Sequence, residues 1–120
     1  MPRRFSQHTV LVASRDPQLA DVRKAILEDA GYRVVTASTI AAVAKGCKEN
    51  NINLVLIGYS VRPSDKRRMF LEAREHCKTP VLELYSDEAP HLVSETRTFQ
   101  HHAETPHDFL QAVSNILRRR

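Results

Sequence analysis

The chain has 120 residues, a formal net charge of +4 and 27% charged residues. This length fits one domain, and we expect a single domain over 1–120 with an ordered core at about 8–118. The charged fraction is ordinary for a globular protein and argues against a disordered chain. No apolar run approaches the ~20 residues that span a bilayer, so we expect no membrane partner.

Two cysteines and several terminal arginines are the notable features of the composition. Cys47 and Cys77 have no zinc-type or redox spacing, and we interpret both as buried free thiols of a cytoplasmic protein. Much of the positive charge lies at the ends, in Arg3, Arg4 and 118–120. Such runs are usually solvated, so nucleic acid is not expected as a partner.

Short apolar runs alternate with helical periodicity along the chain. The runs predict strands at 10–13, 32–37, 53–57, 80–84 and 98–103. Helices are predicted after the cap Asp16, after the cap Ser38, over 87–96, and after a cap formed by Thr105 and Asp108. A loop with Pro63 leads to a further helix that carries Met69, Phe70, Ala73 and Cys77. Five βα units in succession indicate a five-stranded parallel sheet in a three-layer (βα)5 sandwich, of the flavodoxin-like class. Binding sites of such folds lie beyond the carboxyl ends of the strands.

Four segments carry a further signal: VLVASRDPQLADVRKAILEDAGYRVVTAST, NLVLIGYS, TPVLELYSD and ETPHDFLQAV. Together they resemble the receiver domain of bacterial response regulators, the CheY-like family, over nearly the whole chain. The resemblance implies two-component signal transduction or a phosphorelay in the cytoplasm, with protein partners.

The residues that carry this family's chemistry are replaced. The family has an acidic pair after the first strand, a phosphoacceptor aspartate after the third, a hydroxyl residue after the fourth and a lysine after the fifth. These positions hold Ser14 with Arg15, Gly58, Tyr85 and Thr105. Gly58 offers no nucleophile, and a hydroxyl beside a permanently charged guanidinium is a poor Mg²⁺ site. We therefore expect a pseudo-receiver that is not an enzyme and has no catalytic residue, metal or cofactor.

The resemblance also indicates where such a domain would act. In the family, the fourth helix, the fifth strand and the fifth helix mediate dimerisation or output, and this face corresponds to 87–119 here. We expect phosphorylation-independent protein–protein contact on this face, with a homodimer through the last strand and helix as one form. The candidate contact residues are His91, Glu95, Arg97, His102, Gln111 and Arg118.

The alternative hypothesis is a regulatory module that binds a small anion or another ligand at the strand ends, around Arg15 and Tyr85. For Arg15 itself two roles stay open. Its charge could replace the family's Mg²⁺, or it could be an exposed arginine that pairs loosely with Asp16 or Glu104.

Glu83 interrupts the apolar run of the fourth strand and requires a partner if it is buried. We name His101, His102 or Arg15 as candidates. The two histidines are adjacent on a strand and point to opposite faces, so they cannot readily share a metal ion.

Overall fold

The computed structural model describes residues 8–105 and 107–118. The elements in chain order are β1 (Thr9–Ala13), α1 (Pro17–Asp29), β2 (Arg33–Ala37), α2 (Ile40–Glu49), β3 (Leu54–Ile57), α3 (Pro63–His76), β4 (Val81–Tyr85), β5 (Thr98–His102) and α4 (Phe109–Arg118). No helix of this described part is long and apolar enough to cross a membrane. The terminal residues Arg3, Arg4, Arg119 and Arg120 lie outside the described ranges.

All four strand pairings are parallel, in the order β2-β1-β3-β4-β5. The expected five-stranded parallel sheet of the flavodoxin-like class is confirmed. The chain moves outward from β1 to β2 and then returns to place β3 on the other side of β1. The strand order reverses between β1 and β3, so their carboxyl ends open a crevice at this point.

The core has one apolar cluster on each face of the sheet. Successive residues of β1 alternate between them, because side chains along a strand point to opposite faces. Val10 packs with Leu27 and Phe109 under α1 and α4, whereas Leu11 packs with Val43 under α2 and α3. Both faces are covered, which explains the continuous apolar run of the sequence.

The N-terminal caps of the first two helices are side-chain oxygens. Asp16 caps α1 as expected, and its Oδ1 accepts hydrogen bonds from Gln18 N (3.0 Å) and Leu19 N (3.3 Å). The cap of α2 is Thr39, whose Oγ1 accepts from Ala42 N at 3.0 Å, so the expectation of Ser38 is wrong by one residue.

The helix predicted over 87–96 is absent, and this prediction is wrong. The chain between β4 and β5 is an irregular segment, 86–97, anchored by the fully buried Leu92. Its amides at 91 and 92 donate to the carboxylate of Glu83 (2.8 and 2.9 Å). A side-chain acceptor thus satisfies the backbone in place of helical hydrogen bonds.

Cys47 and Cys77 are joined in a disulfide bond, with 5.0 Å between their Cα atoms. The interpretation as free thiols is wrong, since both cysteines are paired. The bond links the last turn of α2 to the residue that ends α3. Disulfides persist mainly in oxidising compartments, so the cysteines no longer support a cytoplasmic location, which stays a prediction.

Candidate functional site

The carboxyl ends of β1, β3 and β4 bring Ser14, Gly58 and Tyr85 to one edge of the sheet. Ser14 is buried, and its Oγ donates to Asp16 O and lies 3.1 Å from Ser60 Oγ. The hydroxyl of Ser60 also accepts from Arg15 N at 3.2 Å. The two serines therefore tie the loop after β1 to the loop after β3.

The side chain of Arg15 points away from Gly58. It is exposed, and its Nη1 donates to Ser38 O at 3.2 Å, on the β2 side of the crevice. The guanidinium of Arg15 therefore does not lie at the centre of the site. Within the described residues it also forms no ion pair with Asp16 or Glu104. Arg15 follows β1 and Tyr85 ends β4, and β3 lies between these two strands. The structure therefore does not bring Arg15 and Tyr85 together.

A different arginine occupies the space above Gly58. Arg23 of α1 is 3% exposed, and its guanidinium Nη1 would overlap a Cβ placed on Gly58, so the end of the arginine side chain would have to shift. The guanidinium carbon lies 5.0 Å from the ring centroid of Tyr59, a cation–π geometry. A fixed positive charge therefore fills the place where a side chain at position 58 would project.

The environment of this guanidinium is poor in hydrogen-bond acceptors. Nη1 of Arg23 is buried and has no hydrogen-bond partner among the described residues. Burial lowers the pKa of Arg23 from its usual value, and Tyr59 and Asp16 oppose that change. An arginine nevertheless remains protonated in a protein. The site thus holds a permanent cation and would repel a second one.

Thr105 lies in the turn that starts α4. Asp108 Oδ2 accepts from Thr105 N (3.0 Å) and Glu104 N (2.8 Å), which is the reciprocal half of the expected capping box. The other carboxylate oxygen of Asp108 lies 3.2 Å from His101 Nε2. Burial alone would raise the pKa of Asp108, but the two amide donors and His101 outweigh it and hold that pKa below its usual value.

Tyr85 packs against β5. Its ring lies 5.2 Å from the ring of His102, with a tilt of 43°. His102 Nδ1 in turn lies 3.1 Å from Glu104 Oε2. His101 and His102 have separate carboxylate neighbours, as opposite strand faces require. Among residues 8–105 and 107–118, no group of three or more histidine, cysteine or acidic side chains could hold a metal ion.

Glu83 is buried and has a charged partner, as expected, and this partner is Lys66 of α3. The Nζ of Lys66 donates to Glu83 Oε2 (2.9 Å) and to Leu84 O (3.2 Å), with both side chains at most 4% exposed. The expected partners His101, His102 and Arg15 are wrong, because each contacts another group. With the two amides of segment 86–97, Glu83 accepts three hydrogen bonds and connects β4, α3 and this segment.

The six candidate contact residues divide into two groups. Glu95 pairs with Arg67 of α3 at 2.6 Å, and the amide of His91 donates to Glu83, so both are engaged within the domain. The other four are exposed on or beside β5 and α4: Arg97, His102, Gln111 and Arg118. Arg97 has a positive φ of 58°, and its Nη1 donates to Lys78 O.

Two clefts flank the edge of the sheet. One, of about 360 Å³, lies between α1 and the start of α4, with Arg23, Tyr59 and Thr105 in its wall. The other, of about 330 Å³, lies between the start of α3 and segment 86–97, with Lys66 and Tyr85 in its wall.

Neither a family model nor a curated protein sequence matches this chain. Solved structures do match. The chemotaxis protein CheY4 of Vibrio cholerae shares 17% identity at a TM-score of 0.78, over 92% of this chain and 99% of that one. A CheY-like receiver domain protein of Methanospirillum hungatei shares 18% identity at a TM-score of 0.77, over 95% of this chain and 96% of that one. A response regulator receiver protein of Sinorhizobium medicae shares 22% identity at a TM-score of 0.77, over 92% of this chain and 94% of that one. The fold is therefore that of CheY-like response regulator receivers.

Sequence reasoning missed Arg23 and Lys66, although the sequence contains a signal for each. Arg23 lies four residues from both Leu19 and Leu27, on the apolar stripe of α1, and is buried with it. Lys66 lies four residues before Phe70 on the buried face of α3. A charged residue on an apolar helical stripe indicates a specific buried environment.

Proposed function

We propose that this chain is a receiver-like module of bacterial two-component signalling that works by protein–protein contact without phosphorylation. The observation that carries the proposal is the position of the Arg23 guanidinium above Gly58. Phosphoryl transfer to a receiver needs a carboxylate nucleophile, and the glycine provides none. The residues around it do not fit Mg²⁺ either, because hydroxyls and a guanidinium replace the oxygen anions that this cation prefers.

The same guanidinium supports a single fixed state of the module. A phosphoryl switch works when a charge appears in the site and moves the residues around it. Here the charge is tethered to α1 and permanent, so no added group is needed to hold the loops after β1 and β3 in place. The hydroxyl pair of Ser14 and Ser60 holds the same two loops together.

The contact surface that we propose is the outer side of β5 and α4, including Arg97, His102, Gln111 and Arg118. These side chains are exposed, and segment 86–97 replaces the helix that borders this face in the family. Exposed basic groups favour encounter with an acidic partner. A homodimer through β5 and α4 is one form of this contact.

The experiment is incubation with a small-molecule phosphodonor and Mg²⁺, followed by intact mass measurement. We expect no stable adduct, while a receiver with its phosphoacceptor aspartate, treated in parallel, gains the mass of one phosphoryl group. A stable phosphoryl adduct on this chain would overturn the proposal. For the contact surface, Arg118→Glu should weaken self-association in sedimentation, and Lys24→Glu on exposed α1 is the charge-matched control.

A further inference from the structure

A groove of about 570 Å³ runs between α2 and α3, on the opposite face of the sheet from α1 and α4. Its apolar part is formed by Ile40, Ala41 and Ala44 of α2. Small alanine side chains on one wall permit close approach of another backbone.

The rim of this groove is basic. Lys45, Lys48 and Arg68 line it and are exposed, and no hydrogen bond or ion pair is recorded for them within the described part of the chain. Two carboxylates, Glu49 and Glu72, also line it, so three cations face two anions. Glu72 already has a neighbour, because His76 Nε2 lies 3.4 Å from its Oε1.

The other arginines of α3 behave differently. Arg67 pairs with Glu95 at 2.6 Å, and Arg74 donates to Thr96 through both the side-chain and the backbone oxygen of that residue. Both therefore fix segment 86–97 to α3. Arg68, on the groove side of the same helix, has no such partner, so the uncompensated charge of α3 is directed to the groove.

The two walls of the groove are held rigidly. The Cys47–Cys77 disulfide ties the carboxyl ends of α2 and α3 together. At Gly46, a Cβ atom would stand 2.7 Å from Leu11 Cδ1, so α2 lies as close to the sheet as a glycine permits. A groove with fixed walls loses little conformational entropy when it is occupied, and this preorganisation favours binding.

We propose that the α2–α3 groove docks an acidic amphipathic helix of a partner protein. The helix would place its apolar stripe on Ile40, Ala41 and Ala44 and its carboxylates beside Lys45, Lys48 and Arg68. A helix in a groove between two helices is a common mode of peptide recognition, read by apolar residues at i, i+3, i+4 and i+7. This surface is separate from the β5–α4 face and does not depend on the phosphorylation-independent function.

The test uses a synthetic peptide of roughly 18 residues with leucine at i, i+3, i+4 and i+7 and glutamate at most other positions. Its matched control carries lysine in place of each glutamate. Fluorescence anisotropy at low salt measures binding to the full chain. We expect the glutamate peptide to bind, the lysine peptide not to bind, and the affinity to fall as salt screens the charges.

Variants locate the contact. The double change Lys45→Glu/Lys48→Glu should weaken binding by about tenfold or more. Lys24→Glu, an exposed charge reversal on α1, should leave it unchanged, and circular dichroism confirms that each variant is folded. The inference is overturned if the glutamate peptide fails to bind, if both peptides bind alike, or if Arg118→Glu reduces binding while the groove variants do not.

Discussion

The guanidinium of Arg23 and the missing side chain of Gly58 are complementary: the arginine occupies the volume that any residue with a Cβ at position 58 would need. Gly31 is the glycine with a positive φ, at 100°, so Gly58 is not required by its backbone conformation. A Cβ at position 58 would instead displace the end of the Arg23 side chain from its present place. Position 58 therefore has no nucleophilic side chain, and the guanidinium of Arg23 packs in the space that such a side chain would occupy.

This complementarity can be measured as a coupling energy. Gly58→Ala displaces the guanidinium from Tyr59, and we expect a loss of about 1–2 kcal/mol of unfolding free energy. In an Arg23→Met background the methyl group meets no guanidinium, so the same change should cost less than about 0.5 kcal/mol. Urea denaturation of the four proteins gives the cycle. Additive effects would show that the two positions are independent.

The buried pair of Lys66 and Glu83 sustains segment 86–97. Lys66→Met leaves a carboxylate in the core with amide donors alone, and we expect destabilisation of about 3–5 kcal/mol. The double variant Lys66→Met/Glu83→Gln removes the orphan charge and should recover part of this loss. Denaturant midpoints test both, and hydrogen exchange at 91 and 92 reports the segment directly. A single variant as stable as the parent protein would contradict the role of this pair.

The disulfide closes a loop between residues 30 positions apart in the sequence. In the chain-entropy model such a closure contributes roughly 3–4 kcal/mol by restricting the unfolded chain. Thermal unfolding with and without reductant should therefore differ clearly for the parent protein. The variant Cys47→Ala/Cys77→Ala should unfold at the same temperature under both conditions. Equal unfolding temperatures for the parent protein would mean that the bond does not form.

The loss of fold stability at acid pH should depend on Asp108. The folded-state pKa of this group lies below its usual value, because amide donors and His101 outweigh the effect of burial. A depressed pKa stabilises the fold above the unfolded-state pKa, and this contribution is lost as the pH falls through the folded-state value. Asp108→Asn should therefore be less stable than the parent at neutral pH, and the difference should shrink below about pH 4. A difference that stays constant with pH would contradict the assignment.

The sequence is sufficient for the five strands and for the four helices that the described residues form, with the cap of α2 displaced by one residue. The continuous apolar run 10–13 predicts a strand covered on both faces, and the cap Asp16 predicts the start of α1 within a residue. The segment 87–96 could not be assigned correctly, because its conformation depends on Glu83, a residue of another element. The disulfide could not be predicted from the sequence either, since only the packing of α2 on α3 brings its two cysteines together.

The candidate site was predicted at the level of positions but not of contacts. Ser14, Gly58 and Tyr85 meet at one edge because parallel strands share it. For Arg15 the sequence leaves open a charge within the site or an exposed side chain; the side chain is exposed, and the cation of the site comes from Arg23 on a helix. Such a contact depends on the crossing of α1 over the sheet, which no local pattern fixes.

The most direct measurement of the central claim is an amide NMR spectrum of the chain before and after addition of Mg²⁺ with beryllofluoride, a mimic of a phosphoryl group. A site already filled by the Arg23 guanidinium should leave the resonances of Gly58, Ser60 and Thr105 unchanged. A saturable shift of these resonances would show that the site accepts a metal and a phosphoryl-like group, and would contradict the account.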